Sequence, residues 1–209
     1  MAEMQPDLSA LTPAEDRFAR ARAGSSPVIQ IVPVRGLPIV AVVLVALVAA
    51  IATNKLWALD FFHVVGGGVW TVLDLFLGFV LGPTLGRLSV PARAEFTARF
   101  MPKMVLIMPT VVVSTLAAGW QLALHLGTVY STYQYHGWVV ASFVVVAVMA
   151  VIALGVLEPA NLAVLFELKK PVPNGEVINQ LMRRFIFTAG ITGTMQVATL
   201  IIMTRLATA

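Results

Sequence analysis

Five apolar stretches, each long enough to cross a lipid bilayer as a helix, constrain this chain more than any other feature. A spanning helix requires about 20 consecutive, predominantly apolar residues. Backbone groups in hydrocarbon must bond to each other, and the stretches lack the alternation of barrel strands, so we predict helices. The predicted fold class is an all-α integral membrane protein, with a four-helix core and an extra N-terminal helix. The stretches cover about residues 37–57, 60–83, 101–126, 137–158 and 181–206.

The composition agrees with this fold class. Of the 209 residues, 59% are hydrophobic and 11% are charged, whereas soluble domains have about 45–50% and about 25%. We divide the chain into a polar cytoplasmic tail, residues 1–36, and a membrane domain, residues 37–206. Cysteine is absent from the sequence, which excludes disulfides, thiolate ligands and a cysteine nucleophile. No nucleic-acid-binding motif is present, so we expect no nucleic acid partner.

Lysine and arginine residues lie almost entirely at one set of helix ends. Such residues concentrate on the cytoplasmic side of membrane proteins. Of the 14 in the chain, only Lys55 and Arg205 fall at the opposite ends. We therefore predict a protein of a bacterial-type inner membrane, with a cytoplasmic N-terminus and an outer C-terminus. The basic residues on the predicted cytoplasmic side are Arg17, Arg20, Arg22, Arg35, Arg87, Arg93, Arg99, Lys103, Lys169, Lys170, Arg183 and Arg184.

The predicted topology places all three histidines toward the outer side. His63 lies about one turn into the second stretch, His125 ends the third, and His136 precedes the fourth. Because they come from different helices, we expect their side chains to share one membrane layer. His63 is the deepest of the three, and ionisable residues inside a membrane usually have a functional role.

Two neutral imidazoles from different helices can be the axial ligands of a haem iron, and imidazole also suits copper. Gly67 and Trp70 follow His63 on one helical stripe, where small residues leave room for a flat ligand. The candidate cofactor site therefore contains these three residues, with His125 or His136 as the second ligand. Two alternatives remain open: the histidines bond to water or headgroups, and the glycines serve helix packing alone.

Asp74 lies near the predicted bilayer midplane, on the stripe that carries His63. An unpaired charge at this depth costs about 2.5–3.5 kcal/mol on insertion scales. We therefore expect Asp74 to pair with a cation, to lie near water, or to be a neutral acid bonded to Thr or Gln. Either a proton-relay role or a structural role suits this position. The candidate cations are Lys103, Arg183 and Arg184, and the inward-facing polar stripe of the last stretch is Thr188, Thr192, Gln196 and Thr199.

Three methionines share one face of the third stretch, at its predicted cytoplasmic end. Met101, Met104 and Met108 follow each other at three- and four-residue spacing. Thioethers are soft ligands for Cu(I). Apolar packing is the more frequent reason for such a face, and it lies far from the histidines.

Three stretches share features with a known family. FFHVVGGGVWTVLDLFLGFVLGPTLGRL has an early histidine before tryptophan and small residues, RFMPKMVLIMPTVVVSTLAAGWQLA starts basic and has Gly-Trp near its end, and QLMRRFIFTAGITGTMQVATLIIM follows an Arg-rich loop. Over about residues 58–206 they resemble the CopD/HemJ-like membrane proteins, which include copper-handling proteins and haem-binding protoporphyrinogen oxidases. The resemblance implies a haem or metal ligand at His63 and a functional basic residue at Lys103. The extra first helix and the loop sequences depart from the oxidase pattern.

These observations lead to three hypotheses. The first is an inner-membrane protein that binds b-type haem near the outer side and serves electron transfer in or beside a membrane redox complex. The second is a cofactor-free accessory subunit of a larger membrane complex, and the third is a copper-handling permease. The expected partners are the lipid bilayer and other membrane-protein subunits. No nucleophile–base pair is visible, so enzymatic activity stays an open question.

Overall fold

The computed structural model describes residues 31–170 and 173–208. This part of the chain contains seven α-helices and no strand. The first 30 residues, most of the predicted tail, lie outside that part. A 3₁₀ turn, Val34–Gly36, precedes the first helix. The helices are α1 (Leu37–Thr53), α2 (Leu56–Leu75), α3 (Gly82–Gly86), α4 (Val90–His125), α5 (His136–Ile152), α6 (Glu158–Leu168) and α7 (Gly175–Ala207).

Joined end to end, these helices form five segments long and apolar enough to cross a membrane, which confirms the predicted number. The last four contain 31 to 34 residues each, more than the roughly 20 that the hydrocarbon layer requires. Sequence reasoning placed the start of the third helix at residue 101, but α4 begins at Val90. Because the added turns are polar, hydropathy does not register them. The spans are Val34–Thr53, Leu56–Gly86, Ala92–His125, His136–Leu168 and Gly175–Ala207.

The first span, the extra N-terminal helix of the predicted fold class, lies at the periphery of the described bundle. Helix α1 packs mainly against α4, and only Leu47 and Ala50 are buried along it. Its last residue, Thr53, is followed by Asn54, whose left-handed φ of 48° turns the chain sharply into α2. The side-chain amide of Gln121 donates to Oδ1 of Asn54 at 3.0 Å and fixes this turn on α4.

Two π-helical segments interrupt the second and fourth spans. Phe76–Leu81 joins α2 to α3, and Ala153–Leu157 joins α5 to α6. A proline is the second residue after each segment, Pro83 in α3 and Pro159 in α6. Proline has no N–H and its ring clashes with the carbonyl four residues earlier, so the preceding turn widens. A wider turn relieves this clash at both places, whereas α4 continues through Pro102 and Pro109 without a π-helical segment.

The apolar core is concentrated at the end of the bundle where the basic residues cluster. There the end of the second span, the start of α4, helix α6 and the start of α7 converge. Asn174 begins α7 by accepting hydrogen bonds from the backbone of Glu176 and Val177 at 3.0 and 3.3 Å. The core residues are Leu77, Leu81, Leu85, Met101, Met104, Leu157, Ala160, Val164, Leu165, Leu168, Ile178, Met182, Phe185 and Ala189.

Glycines bring the second span into close contact with α7. A methyl group placed on Gly78 would collide with the backbone of Gly190, and one placed on Gly82 would collide with the side chain of Ile186. On the other helix, a methyl group on Gly193 would lie 3.0 Å from the backbone nitrogen of Leu75. In a membrane, such small residues let backbones approach, and dispersion contacts then hold the helices together.

We predict that Gly78→Ala destabilises the protein by about 1–3 kcal/mol, the usual cost of overpacking. The atoms that the new methyl group meets belong to the backbone, which cannot move aside as a side chain can. Unfolding in mild detergent measures the effect. Gly68→Ala is the matched control in the same span, since no heavy atom lies within 4 Å of its added methyl group. Equal stability of the two variants would contradict the prediction.

Candidate functional site

His63 is held against the third span by a hydrogen bond to the backbone. Its Nδ1 lies 3.0 Å from the carbonyl oxygen of Thr115. A carbonyl only accepts, so Nδ1 carries the proton and donates, and the other ring nitrogen, Nε2, keeps a free lone pair. The side chain is half-buried. One imidazole with a fixed tautomer is therefore presented at the boundary of α2 and α4.

Glycines on both helices make this contact possible. A methyl group on Gly119 would collide with the His63 ring, so the imidazole occupies the space that the missing side chain leaves. On α2, a methyl group on Gly66 would collide with the Thr115 hydroxyl, and one on Gly67 would touch its methyl group at 3.6 Å. Gly66 thus serves helix packing, a methyl group on Gly67 would make only an ordinary van der Waals contact, and Gly68 faces open space.

The other two histidines lie closer to the ends of their helices than His63 does. His63 contacts α4 at Gly119, and His125 follows six residues later, about 9 Å along the axis. Phe143 packs on Trp120 at 5.6 Å between ring centroids, and His136 precedes it by seven residues, about 10 Å. His125 and His136 therefore share a level, and His63 lies deeper than predicted because α2 begins at Leu56 instead of residue 60.

Exposure separates these two outer histidines. The side chain of His125 is exposed at the end of α4, while His136 is half-buried at the start of α5. The Nδ1 atom of His136 is buried and has no hydrogen-bond partner among the described residues. Within those residues no group of three His, Asp or Glu side chains is close enough to bind a metal ion by itself.

Asp74 is completely buried between α2 and α7. Its Oδ2 accepts hydrogen bonds from the Thr192 hydroxyl at 2.9 Å and from Nε2 of Gln196 at 2.7 Å. Of the alternatives that the sequence left open, the structure therefore has the carboxyl bonded to Thr and Gln. Lys103, Arg183 and Arg184, the candidate cations, have exposed side chains and do not pair with it.

The predicted polar stripe of the fifth span does face inward. Thr188, Thr192 and Gln196 are buried, and Thr199 is half-buried with its hydroxyl 3.9 Å from the sulfur of Met149. Trp70, which precedes Asp74 by four residues, is also buried. Asp74 thus belongs to a polar cluster that includes residues of two spans.

Buried polar residues also occur where sequence reasoning did not place a site. Asn161 in α6 is 1% exposed, and its Oδ1 has no partner among the described residues. Thr97 in α4 is fully buried, and its hydroxyl donates to the carbonyl of Arg93 at 2.8 Å. The only sequence signal for Asn161 is a lone amide in an apolar stretch, and Thr97 lies in a segment read as a loop.

The methionine face packs into the apolar core. Met101 and Met104 are buried, at 0% and 4% exposure, and Met108 packs against the same cluster. The other residues of that cluster are apolar, and Met182 is the one among them that has a thioether. The contacts therefore agree with apolar packing as the reason for this face.

Two clefts open on the outside of the described bundle. One of about 330 Å³ lies between α1, α2 and α4, and the other, of about 440 Å³, lies between the π-helical segment of the second span and α7. Their walls are mainly apolar side chains, such as Val43 and Phe61 in the first and Phe79 and Phe187 in the second. Neither cleft is lined by a histidine or by Asp74.

Comparisons of the chain with protein-family models, with curated proteins and with solved structures find no match. The class of protein that the fold defines is a multi-pass helical membrane protein. The functional assignment therefore depends on the chemistry of its own residues.

We predict that Met101→Leu changes the free energy of unfolding by less than about 1.5 kcal/mol, because the two side chains have similar volumes. Met101→Ala, which leaves a cavity in the core, is expected to cost about 2–5 kcal/mol. Unfolding of both variants in detergent, with metal analysis of each sample, tests this. Loss of bound copper from the stable Met101→Leu variant would instead indicate a thioether ligand.

Proposed function

We propose that this protein binds a b-type haem through His63 and serves electron transfer within or beside a membrane redox complex. The observation that supports it is the hydrogen bond from Nδ1 of His63 to the Thr115 carbonyl. Ligating histidines usually donate their second ring N–H to a carbonyl or carboxylate, which fixes the ring and leaves Nε2 for the metal. Placing an imidazole inside a membrane helix costs free energy, so residues of this kind usually have a functional role.

Of the two outer histidines, His136 is the better candidate for the second ligand in this proposal, although the described structure places it about 10 Å from the level of His63. Its buried Nδ1 has no hydrogen-bond partner in the described ranges, so a ligand or a water molecule must satisfy it. His125 is exposed and can bond to water without help from the protein. When bound between two imidazoles, a haem supplies reversible one-electron transfer. The residues of the chain hold His63 in one tautomer and one orientation.

In this proposal, the protein that exchanges electrons with the haem is a separate subunit outside the described bundle. Neither of the two clefts described above is lined by a histidine, so a haem held by His63 would need a neighbouring protein to complete its binding site. A neighbouring membrane subunit that completes this site would also bring its own redox centre close. This arrangement supports a role as one subunit of a larger complex.

Replacement of His63 by alanine is expected to abolish the haem signal. The reduced-minus-oxidised visible spectrum of protein purified in mild detergent, with iron and copper analysis of the same sample, measures it. His136→Ala should also lose the signal, whereas His125→Ala, which alters an exposed side chain, is the matched control and should keep it.

Full haem retention in His63→Ala would refute the proposed ligand. A colourless, metal-free wild-type protein that copurifies with stoichiometric partners would favour the accessory-subunit hypothesis. Copper in place of iron would favour the copper-handling hypothesis. The proposed likeness to CopD/HemJ-like proteins is compatible with either metal.

We further propose a bacterial-type inner membrane as the location, with a cytoplasmic N-terminus. The support is the charge distribution, because arginines and lysines flank the ends where α3, α4, α6 and α7 meet. At the opposite end Arg205 lies over the Tyr135 ring, 4.9 Å from its centroid, so its charge is partly accounted for by a cation–π contact.

Because the chain has no cysteine, single introduced cysteines report its orientation directly. Ser131→Cys, in the exposed connection before α5, is expected to react with a membrane-impermeant maleimide in intact cells. Ser89→Cys, in the exposed connection before α4, should react only after the membrane is opened. The reverse pattern would refute the proposed orientation.

A further inference from the structure

The hydrogen bonds around Asp74 contain no positive charge. The carboxyl is 0% exposed, and both donors to its Oδ2, Thr192 and Gln196, are neutral side chains. The ion pairs found within the described residues lie elsewhere, between Glu95 and Arg99 and between Glu167 and Lys170. A carboxylate at this depth without a cation is expensive, and protonation removes that cost.

The Thr192 hydroxyl can serve both protonation states of Asp74. Besides Oδ2 of Asp74 at 2.9 Å, its oxygen lies 3.0 Å from the carbonyl of Ala189 and 3.2 Å from that of Thr188. A hydroxyl has one proton to donate and two lone pairs. It donates to Oδ2 when Asp74 is ionised, and it donates to a carbonyl and accepts from Asp74 when the acid is protonated.

Gln196 offers the same choice from the next turn of α7. Its Nε2 donates to Oδ2, while its Oε1 is buried and has no partner among the described residues. A half-turn of the amide exchanges the two atoms, and Oε1 then accepts a hydrogen bond from the protonated carboxyl of Asp74. Oδ1 of Asp74 is likewise buried and unpartnered within the described residues. The site thus has acceptor capacity for one more proton.

We propose that Asp74, Thr192 and Gln196 form a reversible proton-binding site inside the membrane. The carboxyl binds the proton, and either the hydroxyl or the amide reorients to accept the one hydrogen bond that the protonated acid donates, while the other continues to donate to the carboxyl. This site is separate from the proposed haem function. It lies eleven residues after His63 on the second span, about 16 Å along the axis.

Few other titratable groups face this site from the elements packed around it. On α4, Lys103 is exposed, and on α7 both Arg183 and Arg184 are exposed. On the fourth span Glu158 is half-buried, and α1 contains no titratable side chain. The protonation of Asp74 is therefore expected to depend on its contacts with Thr192 and Gln196 and not on a neighbouring charge.

Infrared spectroscopy of the full-length protein in detergent tests this proposal. At neutral pH we expect the carbonyl-stretch band of a protonated carboxylic acid, which shifts in D₂O, disappears at alkaline pH and returns when the pH is restored. Asp74→Asn should lose the band. Asp60→Asn, which alters an exposed carboxyl of the same helix, is the matched control and should keep it.

Thr192→Val provides a second test if Asp74→Asn does not fold. Valine keeps the shape but removes the hydroxyl, so the band should move to higher frequency and remain present. Absence of the band at neutral pH in the folded wild type would overturn the proposal. So would a band that ignores D₂O and pH, which indicates a purely structural acid, or one that sodium chloride removes at constant pH, which indicates a metal-cation site.

Discussion

The close approach of two backbones, at Gly78 in the second span and Gly190 in α7, sets the arrangement of the rest of the bundle. In a bilayer the lipid tails are as apolar as leucine, so burying apolar side chains gives little preference for one helix pairing over another. Only surfaces that fit closely gain dispersion energy over lipid. Because the two helices meet where neither has a side chain, their relative register is fixed at that point. This register brings Asp74 to the level of Thr192 and Gln196.

The structure accommodates its two buried polar groups in opposite ways. His63 bonds to a backbone carbonyl, which is part of a rigid helix, so its tautomer and orientation are both fixed. Asp74 bonds to a hydroxyl and an amide, each of which can exchange donor for acceptor. A fixed partner suits a group that must hold a ligand in place. A partner that can reorient suits a group that gains and loses a proton.

Hydropathy alone predicted the fold class and the number of spans, because lipid leaves the backbone so few choices. It did not predict that α4 extends back to Val90, since the added turns contact polar surroundings and protein. Periodicity put Asp74 and the Thr188–Thr199 stripe on inward faces, and both are inward. It did not predict which residues of the stripe contact Asp74, because that depends on how far one helix is shifted along the other. The positions of the glycines in the sequence do not specify this shift.

The depth of His63 shows the same limit on a smaller scale. A start of α2 four residues earlier than expected moves this histidine about 6 Å away from the level of the other two. Its partner, the Thr115 carbonyl, carries no sequence signal at all, since every residue has one. The glycine opposite, Gly119, was visible in the sequence but gains meaning only when the imidazole is seen beside it.

The π-helical segments before Pro83 and Pro159 also change which residues of these spans lie on the buried side of the helix. In a regular α-helix every step of four residues overshoots a full turn by about 40°, so four such steps lead about 160° around the axis. Along the fourth span, however, buried positions recur every four residues, at Met149, Leu157, Asn161 and Leu165, with Ala153 packed against the core. The π-helical segment has more residues per turn and offsets part of this drift. One wide turn thus helps a helix of more than eight turns to keep its buried positions toward its neighbours, and the amide of Asn161 is among them.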